Sequence, residues 1–274
     1  IPFIARYRKE MHGSMDDQLI REFAEKLEYL RGLDKRRDEI RSLIDAQEKL
    51  TDEINLALDK AATLSELEDI YRPYRPKRKT RASIAKEKGL EPLANDILKQ
   101  EKGFDPSKSA VDYIDEEKGV TSVEDAIQGA MDIIAELVSD NAEIRKRIRN
   151  LTNANGVLVS VATDEEKDSV YKNYYDYKEP VKKIAGHRVL AVNRGEKEGF
   201  LKVSVETDSE KPLNSIFRAM ITDKNQLCSD IIREACTDAY QRLIYPSIER
   251  EVRNDLTDTA SENAMKVFAV NLKQ

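Results

Sequence analysis

Helical periodicity dominates the chain. Over most of its length, apolar residues recur every three or four positions, which is the spacing of an amphipathic helix. The first such run consists of Leu19, Phe23, Leu27, Leu30, Leu33, Ile40, Leu43 and Ile44. Ser14 is a candidate N-cap before it, because a short hydroxyl side chain can accept a hydrogen bond from a free N–H of the first turn. The run predicts one helix of about 30 residues, or about 45 Å at 1.5 Å per residue.

Further helices are predicted from capping boxes, in which Thr precedes Glu by three residues. The pairs are Thr63 with Glu66, Thr121 with Glu124, and Thr259 with Glu262. Pro73 is expected to end the first of these helices. The second is expected to continue as one long helix to about Gly156, and the third is the last helix of the chain. A helix that starts after Thr222 is broken or kinked at Tyr245-Pro246.

Two stretches show the pattern of strands instead of helices. Residues 156–163 (GVLVSVAT) are continuous and β-branched, and residues 200–206 (FLKVSVE) alternate between apolar and polar. We expect 157–163 to pair with 200–206 in a small two-stranded β ribbon. The tyrosine-rich residues 171–177 between them are predicted to be irregular, and a helix is predicted over about 187–197.

These elements predict a mainly α protein, an elongated multi-helix scaffold with one small ribbon. Two regions are expected: a helical region 1–120 with the long helix and a basic connector, and a helical region 121–274 with the ribbon. Helical pairs near 51–71, or around Tyr245-Pro246, could form helix-turn-helix-like parts, although such pairs are common in any helical protein.

Composition supports long solvent-exposed helices, since 36% of the residues are charged, 6% are aromatic and none is Trp. No apolar run is long enough to cross a bilayer, and the first residues do not resemble a signal peptide. The chain starts with Ile1, so we expect part of a longer cytoplasmic protein. Cys228 and Cys236 are expected to be buried, reduced thiols, which fits a reducing compartment.

A search for catalytic chemistry finds little. Neither His12 nor His187 has a second ligand at metal-binding spacing. The sequence has no glycine-rich phosphate loop and no nucleophile elbow. The many carboxylates lie three or four residues from basic partners, as on ordinary helix surfaces. The sequence therefore predicts a protein without enzymatic activity, cofactor or metal.

One segment departs from the acidic character of the chain, whose formal net charge is −6. Residues 71–81 (YRPYRPKRKTR) carry six cations and no carboxylate. The candidate nucleic-acid-binding residues are Arg72, Arg75, Lys77, Arg78, Lys79 and Arg81. Arg supplies fork-shaped donors for phosphate, and two prolines stiffen the segment. The same cations could instead pair with acidic helices of this protein or be solvated, and the pattern alone favours neither.

The tyrosines of 171–177 have two interpretations as well. They could stack on bases, as in proteins that bind single strands. They could equally anchor an irregular segment to the body, with buried rings and solvated hydroxyls. Asp176 and Glu179 leave the stretch with little positive charge, which favours anchoring.

Three stretches resemble the Tex family of bacterial transcription accessory proteins. They are IPFIARYRKE (1–10), LEDIYRPYRPKRKTRASIAKEKGLEPLA (67–94) and NAMKVFAVNLKQ (263–274). The second is the most specific, and their order and spacing extend the resemblance over essentially the whole chain.

The resemblance implies a transcription accessory protein that binds RNA or DNA largely without regard to sequence. It places this chain in the N-terminal helical region, ending just before a YqgF-like domain, with the oligonucleotide-binding barrel further downstream. Nucleic acid is the implied partner of the full-length protein, with transcription machinery as a second one. A scaffold that positions the downstream domains without touching nucleic acid is the alternative.

Overall fold

The chain folds into two compact units, Ile1–Pro76 and Lys77–Gln274. The computed structural model describes residues 2–7, 11, 13, 15–76, 79–222 and 224–271. The predicted mainly α class is confirmed for this part of the chain. The predicted division into regions 1–120 and 121–274 and the helix-turn-helix assignment stay predictions.

The described residues of the first unit form helices joined by short turns, with no strand. Its helices are α1 (Pro2–Tyr7), α2 (Asp17–Asp45), α3 (Asp52–Lys60) and α4 (Leu64–Tyr71). α2 is the long helix that the apolar spacing predicts. Its N-cap is Asp16, whose carboxylate accepts a hydrogen bond from the Leu19 N–H at 2.7 Å. The predicted cap, Ser14, lies outside the described residues.

The core of the first unit forms where α3 and α4 pack on the C-terminal half of α2. Its buried residues are Leu33, Ile40, Ile44, Leu58, Ala61, Leu67 and Tyr71. α4 begins as predicted, with the Thr63 hydroxyl accepting from the Glu66 N–H at 3.3 Å. The Glu66 carboxylate accepts a hydrogen bond from the Ala62 N–H at 2.7 Å. In a standard capping box it would accept from the N–H of the N-cap residue itself, one position later. The capping pattern at Thr63 is therefore confirmed as a helix start.

The second unit combines helices with one sheet. Its helices are α5 (Arg81–Glu87), α6 (Glu91–Lys99), α7 (Pro106–Ala110), α8 (Val123–Asp140), α9 (Ala142–Asn155), α10 (Gly186–Lys197), α11 (Glu210–Met220), α12 (Gln226–Asp238) and α13 (Tyr245–Asn271). Its strands are β1 (Val157–Ala162), β2 (Asp176–Pro180) and β3 (Leu201–Glu206). α8 is contacted by α5, α6 and α12 and lies at the centre of the larger core of this unit.

The long helix predicted from Thr121 to Gly156 is wrong, because the structure has two helices there. The break falls at Asn141, which leaves the helical region with ψ 113° and accepts a hydrogen bond from the Ile144 N–H at 3.0 Å. The start also moves by one residue: Ser122, rather than Thr121, is the N-cap of α8 and accepts from the Asp125 N–H at 3.1 Å. α8 and α9 can therefore present separate faces to the core.

The sheet has three antiparallel strands in the order β2-β1-β3. The predicted pairing of β1 with β3 is confirmed, with Leu158 opposite Val205. The expectation of two strands is corrected, because β2 pairs with the other side of β1 and places Glu179 opposite Leu158. β2 lies in and just beyond the stretch that the sequence predicts to be irregular. Its residues are Asp, Tyr, Lys, Glu and Pro, none of them buried, so it carries no apolar alternation to mark it as a strand.

Side chains of two helices occupy the outer edge of β3. The Glu196 carboxylate accepts from the Val203 N–H at 3.2 Å, and Arg253 donates to the Val203 carbonyl at 3.0 Å. Two residues further along β3, the Glu249 carboxylate accepts from the Val205 N–H at 3.1 Å, and the Tyr245 hydroxyl donates to the Val205 carbonyl at 2.9 Å. α10 and α13 therefore bind the backbone of the strand itself.

The chain continues without a break from α12 into α13 through a π-helical turn, Ala239–Ile244. Pro246 is the second residue of α13. Proline has no N–H and its ring crowds the carbonyl four residues earlier, and a wider turn relieves both effects. The capping box predicted at Thr259 and Glu262 is wrong, since both residues lie inside α13.

Substituting alanine for two helical glycines should change the free energy of unfolding in opposite directions. A Cβ atom on Gly195 of α10 would lie 2.6 Å from Leu201 Cδ1 and 3.0 Å from Tyr171 Cγ, whereas Gly32 of α2 has no neighbour within 4 Å. Gly195→Ala should lower the free energy of unfolding by about 1–3 kcal/mol through overpacking. Gly32→Ala should raise it by about 0.5–1 kcal/mol, since alanine favours the helix. Urea denaturation followed by circular dichroism measures both changes. A neutral Gly195→Ala would contradict the close packing of α10 on β3.

Candidate nucleic-acid interface

The basic segment lies across the boundary between the two units. Arg72 and Arg75 belong to the first unit, whereas Lys79 and Arg81 belong to the second. Lys77 and Arg78 lie outside the described residues. The six candidate cations are therefore divided between two bodies, and each half is described by itself.

In the first unit the segment follows α4 as a tight helical turn, Arg72–Tyr74. Pro73 fits here because the first turn of a helix has no partner for its missing N–H. The Gln47 side chain donates to the Tyr74 carbonyl at 2.9 Å and so fixes the turn to the end of α2. Arg72 is half-buried, whereas Arg75 is exposed.

Arg75 is held by a carboxylate and an aromatic ring. Its Nη2 donates to Glu68 Oε2, and the other oxygen of Glu68 accepts from Arg36 Nε at 2.7 Å. The guanidinium carbon of Arg75 lies 5.6 Å from the centre of the Tyr71 ring, which is within the range of cation–π attraction. Tyr71 is 6% exposed and belongs to the core of the first unit. Arg75 is therefore exposed but ordered.

In the second unit, Lys79 and Arg81 lie beside the start of α5. Thr80 is the N-cap: its hydroxyl accepts from the Ser83 N–H at 3.0 Å, and its own N–H donates to the Ser83 hydroxyl at 2.8 Å. The Thr80 hydroxyl also donates to Glu136 of α8 at 3.0 Å. Lys79 pairs with Glu87 at 3.2 Å, but both side chains are more than 60% exposed. Arg81 is exposed as well.

Asp132 of α8 is a carboxyl group with a shifted pKa, and Arg81 of the basic segment is one of the charges that act on it. Burial raises the pKa of Asp132 above its ordinary value of 3.8, and the charges of Arg81 and Arg242 lower it only in part. Its Oδ1 atom is buried and lies 3.8 Å from Arg242 Nη2, too far for a hydrogen bond. The cost of burial therefore outweighs the attraction of the two cations.

The histidines and cysteines are the other candidate reactive groups in the sequence. No group of three or more His, Cys, Asp or Glu residues there could hold a metal ion. His187 is exposed, and His12 lies outside the described residues. Cys228 and Cys236 are buried free thiols, as predicted, and burial raises the pKa of Cys236 to about 12. A thiol with such a pKa is a poor nucleophile at neutral pH.

The tyrosine-rich stretch anchors the sheet, as its charge suggests. Tyr171 is 6% exposed and its ring centre lies 5.8 Å from that of Phe200. Tyr174 and Tyr177 meet edge to face, with ring centres 5.2 Å apart. The Tyr177 hydroxyl donates to Glu179, which also accepts from Arg188 at 3.0 Å. These contacts leave the rings packed on the second unit.

Sequence reasoning missed the roles of Glu68 and Tyr71, which contact Arg75, and of Arg36, which contacts both of them. Glu68 and Tyr71 are close to Arg75 in sequence, seven and four residues away, which is the only signal that could have suggested them. Arg36 is 32 residues from Glu68, and the two meet only because α4 packs on α2.

Among the described residues, no helix has the length and apolar character needed to cross a membrane. Fold and charge together define a class of mainly helical proteins, and the boundary along the chain between the two compact units falls within a basic segment. Within this class, two family comparisons identify the chain. The family described as Tex central region-like matches residues 101–268, and the Tex-like protein N-terminal domain matches residues 1–45. The chain belongs to the Tex family, and the resemblance stated from the sequence is confirmed.

Curated relatives match the chain along its whole length. YdcI of Bacillus subtilis is 44% identical over 277 residues, which cover 100% of this chain and 38% of the relative. The transcriptional accessory protein Tex of Neisseria gonorrhoeae is 35% identical, and the match covers 37% of its length. The human S1 RNA-binding domain-containing protein 1 is 29% identical, and the match covers 29% of its length. The chain therefore spans about a third of the length of these relatives.

The raised pKa of Asp132 predicts a pH-dependent effect of Asp132→Asn. Because the folded state binds this proton more tightly than the unfolded state, the stability that Asp132 contributes falls as the pH rises through the folded-state pKa. Asparagine resembles the protonated carboxyl, so Asp132→Asn should increase the free energy of unfolding at pH 7. The increase should disappear below pH 3.8. Denaturant titrations at both pH values test this.

Asp112→Asn, at an exposed position, serves as the control and should change stability by less than about 0.5 kcal/mol. A loss of stability for Asp132→Asn at pH 7 would mean that the attraction of the Arg81 and Arg242 charges outweighs the cost of burial.

Proposed function

We propose that this chain belongs to a transcription accessory protein that binds RNA or DNA largely without regard to sequence. The chain would assist this binding through the phosphate contacts of its basic segment. The proposed contacts are Arg72, Arg75, Lys77, Arg78, Lys79 and Arg81. Membership of the Tex family supports the proposal, since relatives carry the names transcriptional accessory protein and S1 RNA-binding domain-containing protein.

The observation that carries the proposal is the exposure of Arg75, Lys79 and Arg81 in a segment without carboxylates. The side chains of Arg75 and Lys79 are 47% and 66% exposed, and each has an ion-pair partner within its own unit. Exposed ion pairs of this kind contribute only about 0–1 kcal/mol. Phosphate oxygens could therefore replace the carboxylate at Lys79 at little cost, and could join the one at Arg75.

Phosphate contacts explain why binding would not depend on sequence. They hold the backbone of the nucleic acid but do not distinguish bases. The tyrosines of 171–177, which could have stacked on bases, are occupied in anchoring β2. Affinity would then come from the release of counterions and would fall steeply with salt.

The same proposal describes a non-catalytic protein of the cytoplasm that also contacts the transcription machinery. Two buried, reduced thiols support a reducing compartment. The raised pKa of Cys236 argues against a thiolate nucleophile.

Replacing the six cations by glutamine should weaken binding and flatten its dependence on salt. If all six contact phosphates of duplex DNA, the slope of log K against log salt should fall in magnitude by about 5, at about 0.9 per phosphate. Fluorescence anisotropy of labelled duplex DNA and of single-stranded RNA, at several salt concentrations, measures the slope for the wild type and the variant.

A control variant with the same change in charge replaces six exposed lysines of the second unit by glutamine. They are Lys102, Lys182, Lys183, Lys197, Lys202 and Lys211. The control should keep most of the salt slope. If both variants lost the same amount of salt slope, the effect would depend only on the net charge of the protein and not on the basic segment. No binding by the wild type at low salt would overturn the phosphate contacts and would leave the chain as a scaffold for the nucleic-acid-binding domains.

A further inference from the structure

Three side chains of the first unit form a cluster with Arg75: Glu68 and Tyr71 contact its guanidinium, and Arg36 contacts Glu68 and the Tyr71 ring. We call Arg36, Glu68, Tyr71 and Arg75 the Arg75 cluster. We propose that Glu68 and Tyr71 are positioning residues, which hold Arg75 ready to bind a phosphate group of nucleic acid. This inference rests on the proposed function and makes Arg75 an ordered phosphate contact of the first unit.

Glu68 restrains Arg75 because each of its two oxygens has its own partner. Oε1 accepts from Arg36 Nε at 2.7 Å, and Oε2 accepts from Arg75 Nη2. Arg36 is in turn paired with Glu39 at 3.1 Å on the next turn of α2. The Glu68 carboxylate therefore cannot rotate towards solvent without losing one of the two guanidinium groups.

Tyr71 supplies the second restraint. Its ring is fixed by burial in the core, and the guanidinium carbons of Arg36 and Arg75 lie 5.8 Å and 5.6 Å from its centre. Both distances are within the range of about 6 Å at which a cation is attracted to a ring face. Arg75 is thus oriented by two groups that are themselves held in place.

The restraints leave Arg75 able to bind an anion. Among the described residues, the structure gives its guanidinium one acceptor, at Nη2. A guanidinium has five N–H groups, so enough remain for two oxygens of one phosphate. Lys79, by comparison, has a single exposed ion pair and a flexible stem. Arg75 would lose less conformational freedom on binding, and so would contribute more affinity per charge.

The opposite role for Glu68 is also physically possible, and the two roles predict opposite signs. If Glu68 only competes with phosphate for Arg75, then Glu68→Gln removes a negative charge and should tighten binding. If Glu68 positions Arg75, then Glu68→Gln should weaken binding, although the protein becomes more positive. A simple measurement of affinity therefore separates the two.

The experiment compares Glu68→Gln with Glu39→Gln in the anisotropy assay with single-stranded RNA. Both variants remove one carboxylate charge near Arg36, but Glu39 makes no contact with Arg75 in the structure. We expect Glu68→Gln to weaken binding about three- to tenfold, the effect of one lost hydrogen bond of ordinary net strength. Glu39→Gln should bind as well as the wild type or slightly better. Tighter binding by Glu68→Gln would overturn the inference.

A second variant, Arg75→Lys, tests whether binding needs the oriented fork of Arg75, and it is the decisive one if thermal unfolding shows that Glu68→Gln does not fold. Lysine keeps the charge but loses the fork, so affinity should fall while the salt slope stays the same. An affinity equal to that of the wild type would overturn the inference and leave the proposed function intact. Failure of the wild type to bind at all would instead overturn the proposed function, and the inference with it.

Discussion

The packing of neighbouring helices around α8 is the constraint on which the second unit depends. Its buried residues are Ala126, Ala130, Ile133, Ile134, Ala135, Val138 and Ser139. Most are small, which allows α5, α6 and α12 to approach the helix together. At Gly129 a Cβ atom would lie 2.3 Å from Leu90 Cδ1, so even a methyl group would force the residue before α6 to move. Helices packed at this density transmit any change in one to the others.

Much of this arrangement can be predicted from apolar spacing, and the exceptions have physical reasons. α2, β1 and β3 are marked by long or regular patterns. The break at Asn141 is not, because the apolar period continues from α8 into α9 and hides the capping side chain. β2 is defined by hydrogen bonds to β1, a non-local interaction that leaves no trace in its polar side chains. α11 was missed although Leu213, Ile216, Phe217 and Met220 follow helical spacing.

The candidate site shows the same limit. The cations of 72–81 are visible in the sequence because no carboxylate interrupts them. Their partners are not visible, because the contact of Arg36 with Glu68 depends on how α4 packs against α2. Nor does the sequence reveal that the segment is divided between two units after Pro76. A charge pattern can therefore indicate a surface but not which of its members are ordered.

The outer edge of β3 has a consequence for the behaviour of the molecule in concentrated solution. An open strand edge can recruit another copy of the same strand and so begin polymerisation. Here Glu196, Glu249, Tyr245 and Arg253 already satisfy the outward-facing N–H and carbonyl groups of Val203 and Val205. A second molecule could add to this edge only by displacing four hydrogen bonds at once. On the other side of the sheet, β2 is short and ends at Pro180, which has no N–H to donate. The helices that support the sheet thus also protect the chain against aggregation through it.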